Sequence, residues 1–269
     1  MIKTTATNSV TTCVSFATEA VMSPPVFRHR SFLRSGASWR ALLAVQAAMS
    51  VGITLPTSAQ AQTSLNDSNT TIYLSNYSAG SNPFYIFSGT HIGTALSGVD
   101  GIGGAYVLDN AGTVISAGAN AVQLGSGSML TNTGTIVGWK GGTAYGAEIY
   151  AGPGSVSNAG TITGFGGVLL THGGQVSNSG SIIGIGVGVT ITGEPGIVLN
   201  NGTAANYIAG GVAGVDISSA GGTIINRGLI TQSSEGFTDA AAIMNGGYLY
   251  NQAAGTSAGA GVISGYATA

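Results

Sequence analysis

The chain has 269 residues, of which 46 are Gly and only 6% are charged, against roughly 25% charged and about 7% Gly in globular domains. Its mean hydropathy is positive, yet beyond residue 61 no run of about 18 apolar residues escapes interruption by Gly, Ser, Thr or Asn. This composition disfavours an ordinary soluble enzyme with one compact core, and it leaves the part after residue 61 without a membrane-spanning segment.

Residues 1–61 read as an extended secretory signal peptide. Arg28, His29, Arg30, Arg34 and Arg40 precede an apolar stretch from Ala41 to Leu55, and Ala59-Gln60-Ala61 supplies a small-x-small cleavage site. Cleavage there leaves Gln62 at the mature end; either the leader is long or translation starts at Met22. Cys13, the one cysteine, lies in the leader. No disulfide can then staple the exported part, so its stability must come from a regular backbone ladder. That part keeps two basic residues, Lys140 and Arg227, against eight acidic ones, a net charge of −6. Without clustered Lys and Arg, nucleic acid is not an expected partner.

Residues 62–97 hold Tyr73, Tyr77, Phe84, Tyr85 and Phe87 amid Ser and Asn, and lack the pattern that follows. They read as an N-terminal cap whose aromatic side chains cover the first coil of a repeat, because an unpaired edge invites aggregation. Asn66, Asn69 and Asn76 open formal glycosylation triplets, which arise by chance in such a segment.

From residue 98 a phrase recurs, cleanest as Val-Ser-Asn-Ala-Gly-Thr-Ile at 156–162. Its asparagines are Asn110, Asn132, Asn158, Asn178, Asn200, Asn226 and Asn251, spaced by 22, 26, 20, 22, 26 and 25 residues. That period is the size of one solenoid coil. Each coil begins with an apolar-x-apolar strand: Val122-Gln123-Leu124, Ala147-Glu148-Ile149, Val168-Leu169-Leu170, Val189-Thr190-Ile191 and Val215-Asp216-Ile217. Alternation turns the outer two residues inward and the middle one outward, with Leu169 an unusual outward residue. A glycine-rich reversal follows, as at Gly152-Pro153-Gly154, Gly173-Gly174 and Gly193-Glu194-Pro195-Gly196.

The second strand places Leu108, Leu130, Val156, Val176, Val198, Ile224 and Leu249 inward, two residues before each Asn. A third strand centres on Val114, Ile136, Ile162, Ile182 and Ile230, four after it, with Ala204 and Gly255 in the same slot of the weaker copies. The Asn sits at the corner, where its side chain tolerates left-handed backbone and can bond equivalent amides along the axis. The Gly two residues on eases the turn.

Three short strands per coil predict an all-β, right-handed parallel β-helix solenoid, the hand following the crossover rule. Seven to eight coils stacked at about 4.8 Å span roughly 35 Å. Ala258 to Ala269, with Gly261-Val262-Ile263-Ser264-Gly265, read as the start of a further coil, so the chain is expected to be truncated before a C-terminal barrel or to belong to a broken gene.

Residues 98–269, above all the runs at 156–164 and 176–184, resemble the glycine-rich β-helical passenger of bacterial autotransporters, and the arginine-bearing leader is similar to theirs. The resemblance implies type V secretion, with the secretion machinery as partner. It also implies a cell-surface or extracellular location when an outer-membrane barrel is present, and a periplasmic one otherwise.

Some β-helices act on polysaccharides, and glycoside hydrolysis needs two carboxylates at controlled separation. Glu148 and Asp216 share one outward column but stand three coils, roughly 14 Å, apart. Asp100, Asp109, Glu194 and Glu235 read as turn or irregular positions, and Lys140 and Arg227 fall four coils apart. His91 and His172 have no Cys or His cluster beside them for a metal, and Gly98-Val99-Asp100-Gly101 is only an echo of calcium-binding repeats. No catalytic set, cofactor site or metal site emerges. The expected function is a surface-exposed stalk or an adhesin-like surface that meets a glycan or a host protein, without catalysis. The alternatives are a polysaccharide-acting enzyme and an inert scaffold fragment. The extra residues between Asn132 and Asn158 supply a candidate contact patch in Trp139, Lys140 and Tyr145.

Overall fold

Strands of three to five residues with one apolar face cannot bury that face alone, so each must pair with its counterpart one coil away. The computed structural model describes residues 62–78, 81–201, 206–218, 221–234, 240–252 and 262–264. The chain divides into Met1–Pro56 and Thr57–Ala269, and every strand described below belongs to the second unit. The leader expected over 1–61 lies outside the described residues, as do Ala204, Glu235 and Gly255.

The protein is an all-β parallel solenoid with three strands per coil. Among the described residues, 25 strands form three sheets of eight, nine and eight. Sheet I contains Val122–Leu124, Tyr145–Ile149, Gly166–Leu170, Val187–Ile191 and Ala213–Ile217. Sheet II carries the asparagines, as in Gly154–Asn158 and Gly174–Asn178. Sheet III includes Thr161–Gly164 and Ser181–Gly184. Pairing is parallel and in register, with Val156 opposite Val176 and Asn158 opposite Asn178. Nine strands at about 4.8 Å make sheet II about 38 Å long.

The alternation sorts inside from outside as expected. Val122, Leu124, Val168, Leu170, Val189 and Ile191 are fully buried, and so are Val114, Ile136, Ile162, Ile182 and Ile230. Each such side chain contributes about 1.5–3 kcal/mol on leaving water. Leu249 departs from its column at 48% exposed, because it lies on the last strand of sheet II. Two slots differ from the fixed four-residue offset. Ile208, not Ala204, pairs with Ile182 and Ile230, and Ile263, not Gly255, pairs with Ile230. The sequence intervals from Asn200 to Ile208 and from Asn251 to Ile263 are longer than four residues, and the apolar column continues across them.

Residues 62–97 enter the same three sheets rather than standing outside the pattern. Phe84–Ile86 pairs with Val107–Asn110, His91–Thr94 with Thr113–Ser116, and Ile72–Tyr73 with Val99–Gly101. Phe84 is 1% exposed and takes the inward position opposite Leu108. Tyr77 and Tyr106 meet its ring edge-on, with centroids 5.3 and 5.8 Å away.

The asparagines point inward. Asn110 to Asn226 are 0–2% exposed, and each amide donates to the next Asn Oδ1. The distances are 2.7, 2.8, 2.8, 3.0, 2.8 and 2.9 Å from Asn110 through to Asn251. The same Nδ2 reaches the carbonyl of the Gly two residues on, at 2.9 Å from Asn178 to Gly180. The row starts at Asn110 because Ile86 holds that register in the coil before it. Ile86 has no side-chain donor, and Asn110 Oδ1 is buried without a partner. None of these asparagines adopts the left-handed backbone allowed above; among the described residues only Ala151 and Asn245 do so without being Gly. The neighbouring glycine serves close approach rather than an unusual φ. A Cβ on Gly160 or Gly180 would lie 2.1 Å from the carbonyl oxygen one coil away. Left-handed glycines occur instead at the other corner, at Gly173, Gly174 and Gly193.

Candidate functional site

The outward column of sheet I runs Tyr73, Asp100, Gln123, Glu148, Leu169, Thr190, Asp216, Ala242. Glu148 and Asp216 stand three coils apart as expected. Asp100, expected at a turn, is instead on the strand Val99–Gly101, two coils or about 10 Å from Glu148. The third residue of that strand is Gly101, so the apolar-x-apolar signature is missing. Side chains of Tyr106, Leu124 and Leu74 occupy the space where its Cβ would point. Asp109 is likewise a strand residue, within Val107–Asn110, whereas Glu194 lies exposed at a reversal.

Gln123 and Glu148 are linked. Gln123 Nε2 donates to Glu148 Oε2 at 2.8 Å, and Asn120 Nδ2 donates to the same oxygen at 2.5 Å. Asn120 is 9% exposed, and its Oδ1 accepts the backbone N–H of Tyr145 at 2.5 Å. Ser97 donates to Gln123 Oε1 at 3.0 Å. Asn120 and Gln123 of one coil, the latter anchored by Ser97 of the coil before, thus hold the carboxylate of the next coil in place. The sequence signalled Glu148 but not Asn120, whose position before a strand has no repeat signature.

The patch expected at Trp139, Lys140 and Tyr145 divides. Trp139 and Tyr145 line an open cavity of about 370 Å3 together with Asn120, Thr143 and Glu148. Lys140 is exposed and does not line it. Trp139 is 44% exposed. Its backbone stays in the coil ladder, donating to Ala119 and accepting from Phe165. Gly141 and Gly142 press on its six-membered ring so closely that added Cβ atoms would come within 2.5 and 2.9 Å. The Tyr145 ring lies over Gly166, where a Cβ would approach to 2.2 Å. Burial raises the Tyr145 hydroxyl pKa; the nearby Thr190 hydroxyl opposes this, and the Glu148 and Asp216 carboxylates add to it. Burial also raises Asp216, whose Oδ1 has no hydrogen-bond partner, like Thr190 Oγ1 beside it.

Arg227 is engaged between coils, donating to Asn201 at 3.0 Å and to Gln252 at 3.2 Å. His91 donates its backbone N–H to Asp67, and His172 Nδ1 is 3.0 Å from the Thr171 hydroxyl. Among the described residues no three His, Cys, Asp or Glu side chains converge as a metal site, and no helix is long and apolar enough to cross a membrane. No protein-family model matches the chain, and no curated protein or solved structure is found similar to it.

Proposed function

We propose that this chain is the exported β-solenoid of an autotransporter-type passenger, working as a rigid stalk that presents a shallow adhesin-like surface. The observation carrying this reading is the continuous inner architecture: apolar columns and an asparagine row persist over successive coils, while the outward positions mix polar residues such as Gln123 and Thr190 with exposed aromatic and aliphatic ones such as Tyr73 and Ile197. Such a body holds a surface at a distance from its anchor and offers many similar hydrogen-bonding positions along its length. Binding is favoured over turnover because Glu148 Oε2 is occupied by two amides and Asp100 Oδ1 accepts the Ile102 N–H. By strand spacing Glu148 and Asp216 stand roughly 14 Å apart across three coils, wider than the roughly 9.5 Å limit of a hydrolytic pair. A glycan or a protein at the host or cell surface is the partner class, with Trp139 and Tyr145 as the contact patch and Lys140 exposed next to Trp139 outside the cavity they line.

Export and display are tested in the native cell. Mass spectrometry of the mature chain is expected to give Gln62 as the first residue, and added protease is expected to reach the protein on intact cells. Deleting the gene is expected to reduce attachment to glycan- or matrix-coated surfaces. A chain retained inside the cell with its first 61 residues intact would refute the reading.

A further inference from the structure

We infer that the notch lined by Asn120, Trp139, Thr143, Tyr145 and Glu148 is a binding site for a single neutral sugar unit of the pyranose class. This deepens the adhesin-like reading and rests on it for biological meaning, but the site stands on its own geometry.

Three observations meet in the notch. The first is an exposed aromatic surface backed by the main chain. Trp139 is 44% exposed, yet Gly141 and Gly142 pack on its ring and its backbone is tied to Ala119 and Phe165. An indole held this way keeps an apolar face toward solvent at little further entropic cost on binding. One face of a pyranose presents C–H groups that match such a surface.

The second is an oriented carboxylate. Glu148 on a solvated strand could sample many rotamers. Here a buried Asn120 and the Gln123 amide both bond Oε2, and each amide is itself anchored, by the Tyr145 N–H and the Ser97 hydroxyl. Among the described residues Oε1 makes no hydrogen bond, which leaves it as an acceptor for a ligand hydroxyl. A network crossing several coils to fix one side chain is preorganisation beyond what solubility requires.

The third is size and character. At about 370 Å3 the notch sits at the small end of the roughly 300–1,000 Å3 range of ligand clefts. The Thr143 hydroxyl at its rim both donates and accepts, as a ring of alcohol groups demands. A cationic ligand would also suit an indole and a carboxylate. Lys140, adjacent to Trp139 and one of only two basic residues after residue 61, opposes that choice.

The test is titration of the purified exported chain with methyl glycosides of glucose, galactose, mannose and N-acetylglucosamine, read by saturation-transfer NMR and calorimetry. Tetramethylammonium and N-acetyl-lysine methyl ester serve as cationic probes. At least one glycoside is expected to saturate with a roughly millimolar Kd, as befits a shallow one-unit site. Trp139→Ala and Glu148→Gln are each expected to weaken it by about tenfold or more, with a sheet spectrum unchanged by circular dichroism. Gln175→Ala, on another face, is expected to leave it unchanged. Binding that survives both notch variants overturns the inference, as does saturation by a cationic probe alone or by nothing. Retaining only the Trp139 variant's folded spectrum is enough to keep the comparison valid if Glu148→Gln fails to fold. A chain that attaches to surfaces without binding these sugars loses only the sugar site; a chain that binds them but is never displayed loses only the proposed stalk.

Discussion

Cutting the asparagine row in its middle should cost far more than altering its first member. Asn178 accepts from Asn158 at 2.8 Å and donates to Asn200 at 3.0 Å and to Gly180 at 2.9 Å. Asn178→Ala removes all three bonds, each worth about 1 kcal/mol net, and strands Asn200 Oδ1 without a donor in a buried site, a penalty of about 1–3 kcal/mol. A total of about 4–6 kcal/mol follows. At the start of the row the balance differs. Asn110 Oδ1 is already buried and unpaired, Ile86 lies beside it, and two of its three donated bonds are long, at 3.4 and 3.5 Å. Asn110→Leu relocates one orphaned acceptor to Asn132 and adds apolar contact, so its cost should stay below about 1.5 kcal/mol. Urea unfolding followed by circular dichroism and tyrosine fluorescence reads the difference. With a slope of about 2.5 kcal/mol per molar, the Asn178 variant should shift the midpoint by about 2 M and the Asn110 variant by less than about 0.6 M. Equal shifts would show that the row contributes no position-dependent hydrogen bonding.

The close packing, the apolar columns and the buried carboxyl each have a measurable consequence. Gly160→Ala should destabilise by more than about 2 kcal/mol because its methyl group would meet the Gly134 carbonyl, whereas Gly103→Ala, which meets nothing within 4 Å, should change stability by no more than about 0.5 kcal/mol; thermal melts of the pair check this. Ile208→Ala should cost about 2–5 kcal/mol, as a fully buried column residue does, and a midpoint close to that of the parent would mean that Ile208 is not in the core. Asp216 has its pKa raised above 3.8 by burial, so the stability linked to its neutral form is complete below about pH 3.8 and lost as pH rises through the folded value. Asp216→Asn should therefore raise Tm near pH 7 and give a smaller gain near pH 3.5, and a loss of Tm at both pH values would contradict that sign.

Much of this was legible because the strands leave a period-two imprint. Val168-Leu169-Leu170 and Val189-Thr190-Ile191 can only be read one way once stacked, and the buried columns follow. The orientation of Asn158 was harder, since an isolated Asn-x-Gly has the chemistry of a turn. Its burial depends on a neighbour of the same type one coil away, which is a tertiary condition. Corner length hides from a fixed offset, which is why Ile208 and Ile263 were displaced onto Ala204 and Gly255. At the notch, Trp139 and Tyr145 stood out as aromatic residues at and near an interval of extra length. Asn120 did not, because its importance comes from reaching the carboxylate of Glu148, 28 residues later.

The one-way row of amides also makes chain length a free variable for evolution. Every interior member receives one hydrogen and gives one, so duplicating a whole coil inserts a unit that satisfies its neighbours and is satisfied by them. A partial duplication would set an aliphatic or a hydroxyl side chain against an amide and break the sequence of exchanges. Length differences should therefore collect between strands, as the 26-residue intervals from Asn132 to Asn158 and from Asn200 to Asn226 suggest within this chain, while solenoids of this type lengthen or shorten by complete turns.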